Sequence, residues 1–371
     1  MLWLPVTAYK YLVGSGNETG FSPLADASQH LLLVVVHHVP YIASTSNPFR
    51  SALKSLQDLK FIGGSFVESE ASHLQKERSA PSLCFSDLYI RLSKSLHDER
   101  GTLMLYTTVQ CIHAFRDYAL VRNDLETLIL PILKQVYEVS MGSQSQLYLL
   151  SIILLIFSQD ASFSEAVHSV VIAGPEWYKD RALGKITLGS FMMLLLLRMV
   201  QANLMAARDL YLHTNTMAAL ANITCSAVRM DSYAAQKFTA LVELLARRYR
   251  KLHQRQRDDS GKHEEFAMQF HSDFLQMTLE VLAGSIASKP ENNPNLLYAI
   301  LQRQALFDEI AQISPEFAEL VETLQVQLTP VSLSGKSVCL CRLCSGISMT
   351  KLIKQRLESL MLHGLSSTCW K

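Results

Sequence analysis

Charge is scarce in this sequence, and neither sign prevails. Asp, Glu, Lys and Arg together make 18% of the 371 residues, and the formal net charge is +1. A chain so balanced has no general attraction for nucleic acid or for acidic substrates, and no nucleic-acid partner is expected. Long apolar runs are also missing. The most apolar uncharged stretches are Gln146–Gln159, Ile186–Leu197 and Leu31–Ser46, the last broken by His37, His38 and Pro40. A bilayer span needs roughly 20 apolar residues, so these read as core helices. Seven cysteines are an odd number, and Cys84, Cys111 and Cys225 stand alone in helical text, which fits a reducing compartment. The opening residues lack a basic n-region and carry Pro5 and Lys10, so a signal peptide is not expected. Leu2 in place of glycine speaks against N-myristoylation of the chain as written, and Cys369, third from the end, against prenylation.

Catalytic and ligand-binding patterns fail one by one. Gly14, Gly16 and Gly20 are spaced G-x-G-x-x-x-G, one residue too long for a dinucleotide fingerprint. Gly335-Lys336-Ser337 resembles the end of a P-loop, but Pro330 occupies the first glycine position. His263-Glu264-Glu265-Phe266-Ala267 has alanine where a zincin needs its second histidine. Cys339, Cys341 and Cys344 are three ligands where structural zinc takes four, and read as unselected text. The sequons at Asn17 and Asn222 read as chance. His37-His38, inside an apolar helix, reads as a satisfied core pair. No catalytic, cofactor-binding or metal residue is nominated, and neither a cofactor nor a small-molecule substrate is expected.

What the sequence does contain is apolar periodicity. Apolar residues make 49% of the chain. The most committed stretch is Arg208–Ile223, a helix with two specified faces. Leu210, Thr214, Met217, Leu220 or Ala221, and Thr224 form one stripe, and Tyr211, Asn215, Ala218 and Asn222 a second of small and amide side chains. Small residues admit a close neighbour, and buried amides must find partners. Asp209 and His213, four apart, are placed to pair on the helix surface. Ile186–Leu197 before it is apolar all round. Phe238, Leu241, Val242, Leu245, Tyr249 and Leu252 after it keep a 3.6-residue stripe. Consecutive helices with short connections are the mark of an α-solenoid.

The rest of the chain follows suit. Helices are expected over Leu24–Val39, over Phe49–Leu59 behind an Asn47-Pro48 cap, and over Leu83–Leu96 and Thr102–Phe115 as an antiparallel pair. More follow at Leu125–Val139, Gly142–Phe157, Phe163–Ile172, Phe266–Ile286, Leu296–Leu301 and Leu306–Ile313. The last runs from Ser314 to Leu328. No strong strand alternation is present, and the helix-pair spacing of roughly 40 residues is kept only loosely. The fold is therefore expected to be all-α, an irregular armadillo/HEAT-like helical solenoid over residues 24–329. A loose lead-in (1–23) precedes it and a poorly ordered tail (330–371) follows.

Asn47-Pro48-Phe49-Arg50, Arg122–Leu133, Leu147–Phe157, Arg208–Ile223, Tyr233–Phe238 and Asn292–Glu309 resemble the dymeclin family, in consistent order. The resemblance implies an all-helical, non-enzymatic eukaryotic protein. Such a protein sits on the cytoplasmic side of the Golgi and supports Golgi organisation and vesicle traffic, with effects on bone development, cartilage and brain. It implies Golgi-associated protein partners. The family also carries a long helical N-terminal region and a myristoylated second glycine, both upstream of the text matched here. Residues 330–371 read as a divergent tail. The sharpest local feature is basic: Arg247, Arg248, Arg250, Lys251, Arg255 and Arg257. It reads as a solvated helix end that complements the macrodipole. The alternative is a peripheral module binding anionic lipid. Asp209, His213, Asn215 and Asn222 are the expected structural centre.

Overall fold

The structure is a computed structural model that describes residues 23–39, 47–59, 82–139, 144–205, 209–258, 262–287 and 292–328. The described residues are mostly helical, with two very short two-stranded ribbons, so the all-α expectation holds at the level of class. The chain divides into two units, Met1–Ile153 and Leu154–Lys371. Residues 1–22 and 329–371, where the lead-in and tail were expected, lie outside the described residues.

The first unit opens with α1 (Pro23–His37) and α2 (Pro48–Lys54). One side chain joins them. Asn47 Oδ1 accepts from the amides of Phe49 and Arg50, which caps α2. Its Nδ2 donates to the carbonyls of Val35, Val36 and His38, which closes α1. Helix ends leave such groups unpaired, and here a single amide serves both ends. Helix α2 is shorter than expected, because Gln57–Asp58 leaves it to form strand β1, parallel to β2 (Ser82–Leu83). The His37-His38 expectation is corrected. Both are exposed, and His37 Nε2 lies 2.8 Å from Thr107 Oγ1.

Then come α3 (Phe85–Lys94), α4 (Glu99–Cys111), α5 (His113–Leu120) and α6 (Glu126–Val139). The expected Thr102–Phe115 helix is broken at Ile112, whose backbone is non-helical. Asp98 caps α4 through the amide of Gly101. A Cβ at Gly101 would fall 1.6 Å from the Ser95 carbonyl oxygen, so this tight entry needs glycine. The unit's core gathers Phe85, Tyr89, Leu105, Phe115, Ile132 and Leu133, with Phe85 edge-on to Phe115 at 5.6 Å.

Helix α7 (Gln144–Ser158) carries the chain across the division, and α8 (Ala161–Ser169) follows. Ile172, expected in that helix, lies in strand β3 (Val171–Ala173), antiparallel to β4 (Lys185–Thr187). The loop between them lays Trp177 and Tyr178 against Phe191. Helices α9 (Leu188–Met205), α10 (Leu210–Cys225), α11 (Ser232–Asp258) and α12 (Lys262–Ala287) form the centre of the second unit. Helix α9 packs against α8, α10 and α11, and α12 against α10 and α11. Helices α13 (Pro294–Leu301), α14 (Gln304–Ala311) and α15 (Pro315–Leu328) complete the unit. Helix α9 is long and apolar enough to cross a membrane, yet 78% of it is buried within the fold, as a core helix requires. Every residue from Leu188 to Leu197 is buried.

Candidate functional site

Of the four residues expected as a centre, Asp209 caps α10 and His213, Asn215 and Asn222 lie along it, with Asn215 Nδ2 buried and without a hydrogen-bond partner among the described residues. On α10, Met217, Ala218, Leu220, Ala221 and Thr224 are all buried, and Asn215 is 8% exposed. Leu210, Thr214 and Asn222 of the two stripes are half-buried, and Tyr211 is exposed at the helix entrance. Asp209 and His213 do not pair on the surface. Asp209 is the N-cap, accepting from the Leu212 amide at 2.8 Å, while His213 is fully buried. The cap turns Asp209 back on the helix end, and packing draws the histidine inward.

What holds this junction is Asn203, a residue the sequence reading passed over. Its Oδ1 accepts from the Asp209 amide at 3.0 Å and its Nδ2 donates to the Asp209 carbonyl at 2.7 Å. The same Nδ2 lies 3.4 Å from His213 Nδ1. Donation from Asn203 makes Nδ1 the unprotonated nitrogen of a neutral ring. The ring packs edge-on against Phe274 of α12 at 3.7 Å. Burial first, and the nearby His271 second, lower the His213 pKa to about 3. A buried asparagine followed six residues later by a capping aspartate is a signal that could have found it.

Three further clasps fix this unit. His168 on α8 lies 2.9 Å from the Ile223 carbonyl oxygen of α10, and its ring lies directly over Gly189 of α9. Burial lowers its pKa as well. Asn222 donates to Ser158 Oγ at 3.2 Å, so its amide is a strut between α10 and the end of α7. Asn293, 1% exposed, accepts from the Met230 amide and donates to the Ala227 and Ser285 carbonyls. Asn295 adds a bond to the Met230 carbonyl, and the Arg229 amide donates to the Asn292 carbonyl. The Asn292–Asn295 segment thus locks the α10–α11 turn, where Arg229 sits at φ 54°.

Arg247, Arg248 and Arg250 of the basic run are engaged within the fold. Arg248 donates to the Leu204 carbonyl at 2.8 Å and contacts Met205, closing the C-terminus of α9. Arg250 pairs with Glu309 of α14, and Arg247 with Glu243 one turn earlier. Glu243 also pairs with Arg303 at 3.6 Å. Lys251 is exposed. The side chains of Arg255 and Arg257 lie outside the described residues.

Away from these elements, an open groove of about 670 Å³ is lined by Asp117, Tyr118, Val121, Arg122, Asn123 and Asp124 in the first unit. Arg122 lies over the Tyr89 and Tyr118 rings and binds the Asp124 carboxylate through two nitrogens at 2.6 and 2.7 Å. That pair holds the Asp124 carboxyl below its usual range, chiefly through the hydrogen bonds from Arg122. The arginine's charge is spent on ordering the α5–α6 connection.

A family model described as "Dymeclin: Dyggve-Melchior-Clausen syndrome protein" matches residues 1–360. The chain belongs to the dymeclin family. The match passes both limits of the 24–329 stretch read from sequence. Among curated dymeclins, that of Gallus gallus is 31% identical over 318 residues, covering 83% of this chain and 46% of the chicken protein. The Mus musculus dymeclin is 31% identical over 343 residues, covering 88% and 49%. The Dictyostelium discoideum dymeclin is 33% identical over 252 residues, covering 68% and 26%. This dymeclin-family chain therefore spans about half the length of the vertebrate relatives it matches. No solved structure matches it.

Proposed function

We propose that this dymeclin-family chain acts as a non-enzymatic scaffold, an irregular α-solenoid working on the cytoplasmic face of the Golgi. It would support Golgi organisation and vesicle traffic through contacts with Golgi-associated proteins. One observation carries the reading. Two buried histidines whose pKa burial lowers are each joined through one ring nitrogen to another helix of the fold: His168 to the Ile223 carbonyl and His213 to Asn203. Perturbed groups at an active site face a cleft and a reacting partner. Here their chemistry goes into fixing helix against helix, which is what a scaffold must hold constant. Family membership supplies the context.

The test uses the relatives' length. In cells lacking dymeclin, a hybrid in which this chain replaces the matched half of mouse dymeclin is expected to restore Golgi continuity and cargo transport. A folded hybrid that reaches the Golgi and restores neither would sink the proposal. Turnover by the purified chain in a hydrolase or transferase panel, abolished by changing one named residue, would sink its non-enzymatic part.

A further inference from the structure

The end of α9 and the basic part of α11 meet in the second unit through Arg248. Asn203 of α9 binds through its side chain both the amide and the carbonyl of Asp209, the N-cap of α10. Two large side chains stand two residues to either side of that clasp. Met205 ends α9 at 67% exposed, and Tyr211 opens α10 at 51% exposed. Arg248 reaches from α11 to the Leu204 carbonyl and the Met205 sulfur, which sets the basic helix directly beside the end of α9. Arg247 keeps 69% of its side chain exposed, and its partner Glu243 is shared with Arg303, so one carboxylate faces two guanidiniums. Lys251 is exposed one turn on and pairs with none of the described carboxylates. The Asp209 carboxylate is turned to the Leu212 amide as a cap. Arg255 and Arg257 follow on the same helix.

We propose that this face, with Met205 and Tyr211 set beside Arg247, Arg248 and Lys251, docks on an anionic lipid bilayer. Tyrosine suits the membrane interface, where one end of the side chain is apolar and the other wet. Methionine fills irregular apolar gaps, such as those between acyl chains. Cations at headgroup depth add an attraction that salt screens. An acidic protein would meet the cations but would need a concave, apolar seat for two protruding side chains. A bilayer supplies that seat anywhere on its surface. The proposal does not depend on the scaffold reading.

The full chain is floated with vesicles of phosphatidylcholine alone or mixed with phosphatidylserine, at about 0.1 M and about 1 M salt. Over that range the screening length falls from about 10 Å to about 3 Å. Flotation is expected only with the anionic vesicles, and weakened at the higher salt. R247Q/K251Q is expected to weaken it about fivefold for each cation removed. M205S/Y211S is expected to weaken it at unchanged charge. Arg248 is left in place because it closes α9, and circular dichroism with thermal melting confirms that each variant is folded. L31S/V34S, in the exposed stripe of α1, is expected to float like the parent chain. Four outcomes overturn the proposal: no flotation of the folded chain, equal flotation on neutral vesicles, loss in L31S/V34S instead, or binding of a polyglutamate peptide without flotation.

Discussion

His213 is the side chain that makes this fold sensitive to pH. The folded chain holds it neutral, with a pKa near 3, because the ring is fully buried and His271 lies nearby. In the unfolded chain an ordinary histidine takes up its proton near pH 6.5. Below that value the unfolded state binds the proton and the folded state does not, so stability falls as pH drops from about 6.5 towards 3. It is fully present above 6.5. Between pH 7 and pH 5 the loss from this one residue is about 2 kcal/mol. Urea titrations of the parent chain and of His213→Phe at both pH values would check it. The variant is expected to lose less on acidification, and equal slopes would refute the assignment. Lowering of the His168 pKa acts in the same direction and leaves some acid sensitivity in the variant. Asn293 is the other decisive residue. Asn293→Leu strands the buried Met230 amide and the Ala227 carbonyl, at about 1–3 kcal/mol for each unpaired group. A loss of about 3 kcal/mol in equilibrium unfolding is expected. An Asn295→Ala change, which touches only a half-buried bond, is expected to remove less.

At the scale of elements, intrinsic propensity and packing point opposite ways at Gly189. Glycine disfavours a helix interior by about 1 kcal/mol relative to alanine, and less in the first turn where Gly189 lies, so Gly189→Ala should stabilise α9 slightly on propensity alone. A Cβ there would meet His168 Nδ1 at 2.4 Å, and the ring cannot retreat without leaving the Ile223 carbonyl. The net expectation is a loss of about 2 kcal/mol, read from the melting curve. A stabilised variant would mean that the His168 clasp is dispensable. The same conflict explains what was legible in the sequence. Helices such as α6, α9, α10 and α15 follow from apolar periodicity and caps, because those signals are local. Ile172 and Ile186 joined the helical text around them, yet they pair across a loop as a short ribbon, a tertiary event that no window contains. His213, Asn215 and Asn222 lie on α10, and Asp209 caps it. Their partners Asn203, Ser158 and Phe274 lie 6 to 64 residues away in sequence, and spacing along one helix cannot name them.

Each of the two units carries its own core. Phe85, Leu105 and Phe115 are buried within the first, and Leu195, Phe238 and Phe274 within the second. Where two cores share a chain, unfolding need not be a single all-or-none event. Tryptophan offers a way to separate them. Trp177 packs against Phe191 in the second unit, and the others in the sequence are Trp3 and Trp370. With Trp3 and Trp370 changed to phenylalanine, fluorescence reports the second unit, while far-ultraviolet circular dichroism reports all the helices. On that background Phe115→Ala is expected to lower the first unit's stability by about 3–5 kcal/mol and shift the circular dichroism curve while leaving the Trp177 curve in place. Phe238→Ala is expected to move the Trp177 curve by a similar amount. If both substitutions moved both signals equally, helix α7 would be coupling the two cores into one cooperative body, and the division at Ile153 would have no thermodynamic counterpart.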